Sequence, residues 1–420
     1  MGFASAWLKE RALFPELIKE APSENTGVIV VVPSYDEPGI TDLLDSLALC
    51  QEPECKVEVI IIVNAPSDAS RGSLKNNQES IRNTEIWKNE HPDRFFDLYL
   101  IDGSSLRSDG WSVGLARKTG MDEAVRRFNQ LNKPDGIILN LDADCKVKSN
   151  YFTAVYSEMH NRKDRAACSI YFEHPLSGNE FSEEVYRSII LYELHLRYYL
   201  QGLAFTGFPY VHHTVGSAIA IKALPYVKAG GMNRRMAGED FYFIQKLLPA
   251  GGFFNLNQTT VFPSPRSSAR VPFGTGVTIL RLTEENNENL LTYNLKAFIE
   301  IKTLFSLIDK IFLCANDDPE FAYHDLPPGI VQFTDMQEWT AKIREIKGNT
   351  SGIQSFRKRF FGWFNMFKIV KYLNSVHSSF FEKRPVSESA SELLKAIGED
   401  FKSDDPAELL GYFRLLELKG

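Results

Sequence analysis

Gly136-Ile137-Ile138-Leu139-Asn140-Leu141-Asp142-Ala143-Asp144-Cys145 is an apolar run that stops at two carboxylates spaced i, i+2. A run of this length, preceded by Pro134 and opened by Gly136, reads as a core strand. Alternation along an extended chain puts Asp142 and Asp144 on one side, one residue past the strand's end. In open α/β sheets, ligands occupy the crevice beyond the carboxyl ends of the strands. Two hard oxygen ligands there suit Mg²⁺ or Mn²⁺, which take one or two protein carboxylates and complete their shell with diphosphate oxygens and water. A strand followed by an Asp-rich turn explains the same residues without a metal.

Outward from this stretch the chain alternates. Strands are expected at 27–32, ending at Pro33, which stops the ladder, and at 57–63 and 96–101. Helices are expected at 41–50, 73–89 and, after a Gly/Ser loop at 102–110, at 111–130. Such alternation implies right-handed βαβ crossovers and a mostly parallel sheet. Further on, 165–172 reads as a strand, 181–201 as a long aromatic-rich helix, 217–221 as a strand, 239–248 as a helix and 259–262 as a last short strand. From about residue 280 helical patterns take over, which sets a boundary there and a helical C-terminal region to 420.

Composition narrows the classes. The 420 residues are 44% hydrophobic and 24% charged, ordinary for a globular protein with a sizeable core. A formal net charge of -7 argues against nucleic-acid partners, because no global positive field attracts a phosphate backbone. The five cysteines form no C-x-x-C pair and are odd in number, which fits a reducing compartment. There is no signal-peptide core, and no stretch reaches the roughly 18–20 uncharged apolar residues that span a bilayer. A cytoplasmic location is expected.

Several short constellations have the chemistry of a binding or catalytic site. Pro33-Ser34-Tyr35-Asp36-Glu37 turns outward with a ring and acids that suit a nucleobase and ribose, though a plain strand-end turn fits equally. Asn64 and Asp68, after the next strand, can hydrogen-bond a base edge. Arg117 stands in the first turns of a helix, a region that favours anions, and can reach a diphosphate. Glu239-Asp240 opens a helix after Gly230-Gly231-Met232. Acids there are commonly dipole partners, but a carboxylate can also take the proton of an attacking hydroxyl. Arg266 and Arg270, in the loop at 263–276, suit either a leaving diphosphate or an anionic acceptor. His212 and His213 are candidates for acceptor or phosphate contact, or simply polar loop residues.

The ordered set is the specific signal. A strand ending Pro-x-Tyr-x-Glu, an Ala-Arg-x-x-Gly helix, a strand ending Asp-x-Asp, a Gly-Gly-Met and a Glu-Asp pair resembles glycosyltransferase family 2, on the GT-A fold, over residues 27–265. The resemblance implies a catalytic domain at 1–279, with a nucleotide-sugar half at about 27–145 and an acceptor half at about 146–279. It implies Asp144 as direct metal ligand and Asp142 as ribose or metal contact. Pro33, Tyr35, Glu37 and Asn64 or Asp68 would cradle the nucleotide, Asp240 would be the base of an inverting displacement, and Glu239 would be its neighbour. The partners implied are a nucleotide-diphosphate sugar and a carbohydrate, lipid-linked or small-molecule acceptor.

The chain departs from the family in three ways. The acidic pair expected after the second strand is Asn64-Ala65-Pro66, no Gln-x-x-Arg-Trp follows the base, and no histidine follows Asp240 before His324. The second departure points to a non-processive enzyme. Two rivals share the scaffold: a nucleotidyltransferase, for which residues 34–40 lack the needed Lys or Arg, and a non-catalytic nucleotide-sugar-binding protein. In the C-terminal region, Arg357-Lys358-Arg359 and the aromatic residues at 360–367 form a basic amphipathic stripe over 357–373. It either docks on its own domain or lies peripherally on the inner face of a membrane.

Overall fold

The computed structural model describes residues 2–106, 110–270, 274–285, 289–315 and 318–419. Parts of two loops singled out above, residues 107–109 and 271–273, therefore lie outside the described residues. The chain divides into two compact units, Met1–Asn179 with His212–Val277, and Glu180–Val211 with Thr278–Gly420.

The first unit contains β1 (Thr26–Ser34), β2 (Lys56–Val63), β3 (Phe96–Asp102), β4 (Ile137–Asn140), β5 (Lys146–Val147), β6 (Ala167–Phe172), β7 (Ile219–Lys222) and β8 (Phe253–Phe262). They form one sheet in the order β3-β2-β1-β4-β7-β6-β8-β5. Pairings β1·β2, β1·β4, β2·β3 and β6·β8 are parallel, while β7 runs antiparallel to both neighbours and β5 antiparallel to β8. Helices α1 (Ser5–Arg11), α2 (Ile40–Ala48), α3 (Arg71–Glu90), α4 (Val113–Gln130) and α5 (Tyr151–Met159) belong to this unit. The long α6 (Glu183–Phe205) belongs to the other, and α7 (Ala223–Lys228) and α8 (Glu239–Leu247) return to the first. This is the expected α/β class: a mostly parallel sheet flanked by helices, with a helical C-terminal region.

The strand order locates the crevice. From β1 the chain builds outward to β2 and β3, then returns to place β4 on the other side of β1. That reversal leaves an opening beyond the carboxyl ends of β1 and β4, the usual ligand position in an open α/β sheet. β1 is β-branched and buried along almost its whole length, as a central strand requires. Above it lies α4, started by Ser112, whose hydroxyl accepts from Leu115 N at 3.2 Å. Gly120 lets α4 approach closely, since a Cβ there would stand 2.4 Å from Val31 Cγ1 and 2.5 Å from Ile62 Cδ1.

Two local expectations are corrected. Pro33 does not end β1, for Pro33 pairs with Ile62 and Ser34 with Val63. Val31 O accepts from Leu141 N on the β4 side, so Pro33, two residues on, aims its missing N–H to that side, where β4 has already ended. Asp142 and Asp144 do not share a side as extended chain either. Cys145 N donates to Asp142 O at 3.1 Å, so residues 142–145 turn and send the two carboxylates to different partners.

In the second unit α6 is tied to the C-terminal helices, although the sequence division kept residues 180–211 with the α/β part. The reason is a buried ion-pair network: Arg197 pairs with Glu193 and Glu417, and Arg414 Nε donates to Glu193 at 2.8 Å. Tyr198 Oη also donates to Tyr293 O at 2.8 Å. The stripe expected over 357–373 is two helices, Ile353–Trp363 and Met366–Ser379, broken where Asn365 caps the second by accepting from Lys368 N at 3.2 Å. Phe356, Phe360 and Phe364 are fully buried within this unit, so much of the aromatic face is internal rather than offered to a membrane. Among the described residues, no helix is long and apolar enough to cross a bilayer.

Candidate functional site

The loop leaving β1 is pinned from α3. Asp36 takes a positive φ of 57°, and its N–H donates to Asn77 Oδ1 at 2.8 Å. Asn76 Nδ2 and Ser73 Oγ donate to its carboxylate at 2.7 and 3.2 Å. Asn77 Nδ2 in turn donates to Asn64 O at 2.8 Å, joining the loop after β1 to the loop after β2. Sequence reasoning missed Asn77; its signal is a polar residue on the buried face of α3, alongside Ser80 and Thr84.

Two acid clusters stand at the crevice. In the first, Glu37 and Asp144 come together across the strand switch. Arg266 Nη2 donates to Glu37 Oε1 at 2.5 Å and to Asp144 Oδ2 at 3.2 Å. Arg270 pairs with Glu37 and donates to Tyr35 O at 2.6 Å. In the second, Arg117 pairs with Asp142 through one terminal nitrogen and with Glu239 through the other. Arg117, expected to reach a diphosphate, is instead buried and held between two acids. Gly216 makes room for it, because a Cβ there would lie 2.5 Å from Arg117 Nη1. Asp240, next to Glu239, accepts from Phe241 N at 2.7 Å.

Electrostatics link the clusters. Burial, then the charges of Glu37 and Asp142, push the Asp144 carboxyl up to about 7 against the pull of Arg266 and Arg270. Burial raises Glu239 to about 6, with Arg117 opposing and Asp240 and Asp142 adding to the rise. Asp240 is raised too, again by burial first and against Arg117. Burial works against the Arg117 charge, yet Asp142, Glu239 and Asp240 outweigh it and hold its pKa above the ordinary value.

The remaining candidates lie apart from these ion pairs. Asn64 is buried, and its Oδ1 has no hydrogen-bond partner among the described residues. Asp68 is exposed. His212 Nδ1 bonds Asn255 Oδ1 at 2.8 Å, its ring meets Phe253 edge-on, and burial lowers its pKa. His213 packs edge-on to Phe172 at 4.9 Å.

Asp142 and Asp144 offer carboxylate oxygens, the donor type of Mg²⁺ and Mn²⁺. No group of three or more His, Cys, Asp or Glu side chains able to hold a metal ion occurs among the described residues. The described residues thus form no all-protein cage, and two carboxylates are as many as a cation shared with a diphosphate would take from the protein.

No protein-family model matches the sequence, and no curated protein is significantly similar to it. Solved structures that match this one include residues 1–349 of S. aureus TarS in complex with UDP-GlcNAc, at 13% identity and a TM-score of 0.41, covering 80% of this chain and 91% of that one. A mannosyltransferase from Pyrobaculum calidifontis in complex with GDP-Man and Mn²⁺ is 14% identical, with a TM-score of 0.37 and coverage of 99% and 92%. The glucosyl-3-phosphoglycerate synthase of Mycobacterium tuberculosis, with Mn²⁺, UDP and glucosyl-3-phosphoglycerate, is 12% identical, with a TM-score of 0.35 and coverage of 66% and 80%. Likeness at this level adds nothing to what the strand order establishes. The functional reading rests on the chain's own residues.

Proposed function

We propose that this chain is a glycosyltransferase that moves a sugar from a nucleotide-diphosphate donor to an acceptor hydroxyl, with a divalent metal, inversion and one transfer per encounter. The observation that carries the reading is the pair of linked acid clusters at the switch point. Asp144 and Glu37 meet through Arg266, and Asp142 and Glu239 meet through Arg117. The two halves of a transfer reaction need just such neighbours: acids for the donor's metal and an acid for the acceptor's proton.

Asp144 would hold the Mg²⁺ or Mn²⁺, which when bound supplies positive charge to the departing diphosphate, and Asp142, turned toward Arg117, would contact the ribose or the same metal. Arg266 and Arg270 would take up the rest of that charge. Asn64, with its unfilled acceptor, suits a nucleobase N–H, beside Pro33, Tyr35, Glu37 and Asp68 around the nucleotide. Asp240 is the general base: its raised pKa makes it a better proton acceptor than an ordinary aspartate. Glu239 and Arg117 position it. His212 and His213 are assigned to the acceptor side.

The test is a thermal-shift screen of UDP-, GDP- and CDP-sugars with and without Mn²⁺, since a ligand that binds only the native state raises its stability. Hits are then assayed for release of the nucleoside diphosphate. A metal-dependent shift with release supports the reading. Binding without release under any acceptor points to a sugar-nucleotide-binding protein, and pyrophosphate release from a nucleoside triphosphate points to a nucleotidyltransferase.

A further inference from the structure

The segment after β8 carries two arginines to Glu37, and one of them on to Asp144. Arg266 bonds Glu37 and Asp144, and Arg270 bonds Glu37 and the carbonyl of Tyr35. The segment is braced from within: Arg270 Nε donates to Ser268 Oγ at 2.9 Å, and Ser268 N donates to Gly276 O at 3.0 Å. Glu37 is 8% exposed, Asp144 27% and Arg266 30%, so these ion pairs are partly shielded from water. Shielded charges hold their partners more firmly than surface pairs do.

A guanidinium and a divalent cation seek the same carboxylate oxygens. Glu37 and Asp144 carry two negative charges and Arg266 and Arg270 two positive ones, so this cluster is neutral as it stands when both acids are ionised. A divalent ion entering alone meets acids that are already paired and two guanidiniums that repel it. A diphosphate entering alone meets arginines that already have acids. Entering together, metal and diphosphate let the partners exchange: acids to metal, arginines to phosphate oxygens.

We propose that Arg266 is a built-in counterion of Asp144 that must leave before a divalent cation is held there, and that a nucleoside diphosphate draws it away. The proposal rests on the reading of Asp144 as a metal ligand. It makes metal and nucleotide mutually dependent, and by linkage each strengthens the other by the same factor.

The experiment is titration of the full chain with Mn²⁺, following free Mn²⁺ by electron paramagnetic resonance, alone and with saturating UDP, GDP or CDP. Wild type is expected to bind Mn²⁺ weakly alone and at least about tenfold more tightly with one of the nucleotides. Arg266→Gln is expected to bind Mn²⁺ alone at least about tenfold more tightly than wild type, with a smaller gain from nucleotide. Arg266→Lys, which keeps the charge but loses the forked geometry, should lie between them, and it decides the matter if R266Q does not fold. Metal affinity without nucleotide that is unchanged or weaker in the folded variants overturns the counterion role. Absence of Mn²⁺ binding in every protein, with or without nucleotide, overturns the metal-ligand reading itself, and the counterion role falls with it.

Discussion

Arg117 and Glu239 stand 122 residues apart in the chain and form an ion pair in which the two side chains are only 4% and 3% exposed. The other arm of the same guanidinium holds Asp142, which is 37% exposed at the crevice. One buried guanidinium is thus shared between an acid exposed at the crevice and the acid next to Asp240, and its single positive charge offsets only part of theirs.

Removing that cation should be costly. Arg117→Met leaves Glu239 buried beside Asp240 and Asp142 with no counter-charge, a change that typically destabilises by about 3–5 kcal/mol. Urea denaturation at neutral pH measures it. The loss should shrink below about pH 6, because a protonated Glu239 no longer needs the partner. A loss that does not depend on pH would mean that Arg117 acts through packing alone.

Arg127→Met provides the contrast. Arg127 and Glu58 are also fully buried partners, with Arg127 Nη2 at 2.9 Å from Glu58 Oε1 and Arg127 Nη1 at 2.8 Å from Glu20 O. Destabilisation of similar size is expected. Nucleotide binding by the folded fraction should stay unchanged, which calorimetry checks, since none of Arg127's bonds involves a crevice acid.

The base assignment predicts that Asp240→Asn lowers turnover by about 10²-fold or more while donor affinity barely moves. Steady-state kinetics with donor titration separates the two. Lost donor affinity with turnover retained at saturation would move Asp240 to the donor side and make Glu239 the better base.

Glu239 also sets opposite pH trends for activity and stability. Its ordinary value of 4.5 is raised to about 6 in the folded chain, so between these values the folded state keeps a proton that the unfolded chain has released. Its contribution to stability is therefore present below about pH 4.5 and is lost as pH rises through about 6. Activity should rise over that same interval, as Glu239 ionises and pairs with Arg117. Glu239→Gln should flatten both profiles around pH 6 and leave the share of Asp144, whose carboxyl is raised to about 7; profiles of unfolding and transfer that keep their full shape in the variant would show that Glu239 does not titrate there.

Much of this architecture was legible because it is local. The β-branched runs marked β1 and β2, and the apolar run before Asp142 marked β4, since strand burial leaves its pattern in consecutive residues. Partner choice was less legible. The i, i+2 rule for Asp142 and Asp144 holds only while the chain is extended, and the turn closed by Cys145 N cancels it. Glu37 and Arg266 are 229 residues apart, and no periodicity encodes that they meet. Asn77 looked like any polar residue of a polar helix, because its role depends on which loops the sheet brings to it.

The amino-terminal segment gives α4 a second anchorage. At 18 residues and about 1.5 Å per residue, α4 is a rod about 27 Å long, with Arg117 near one end. Toward its other end Glu123 Oε1 accepts from Leu17 N and Ile18 N at 3.2 and 3.0 Å, and Arg126 Nη2 donates to Phe14 O at 2.9 Å. Residues 14–18 have no helix or strand of their own, yet they are stitched to the rod that carries the shared cation. Trimming the first twenty residues should therefore free the end of α4 opposite Arg117, so that the shared cation would sit on a rod held at one end only.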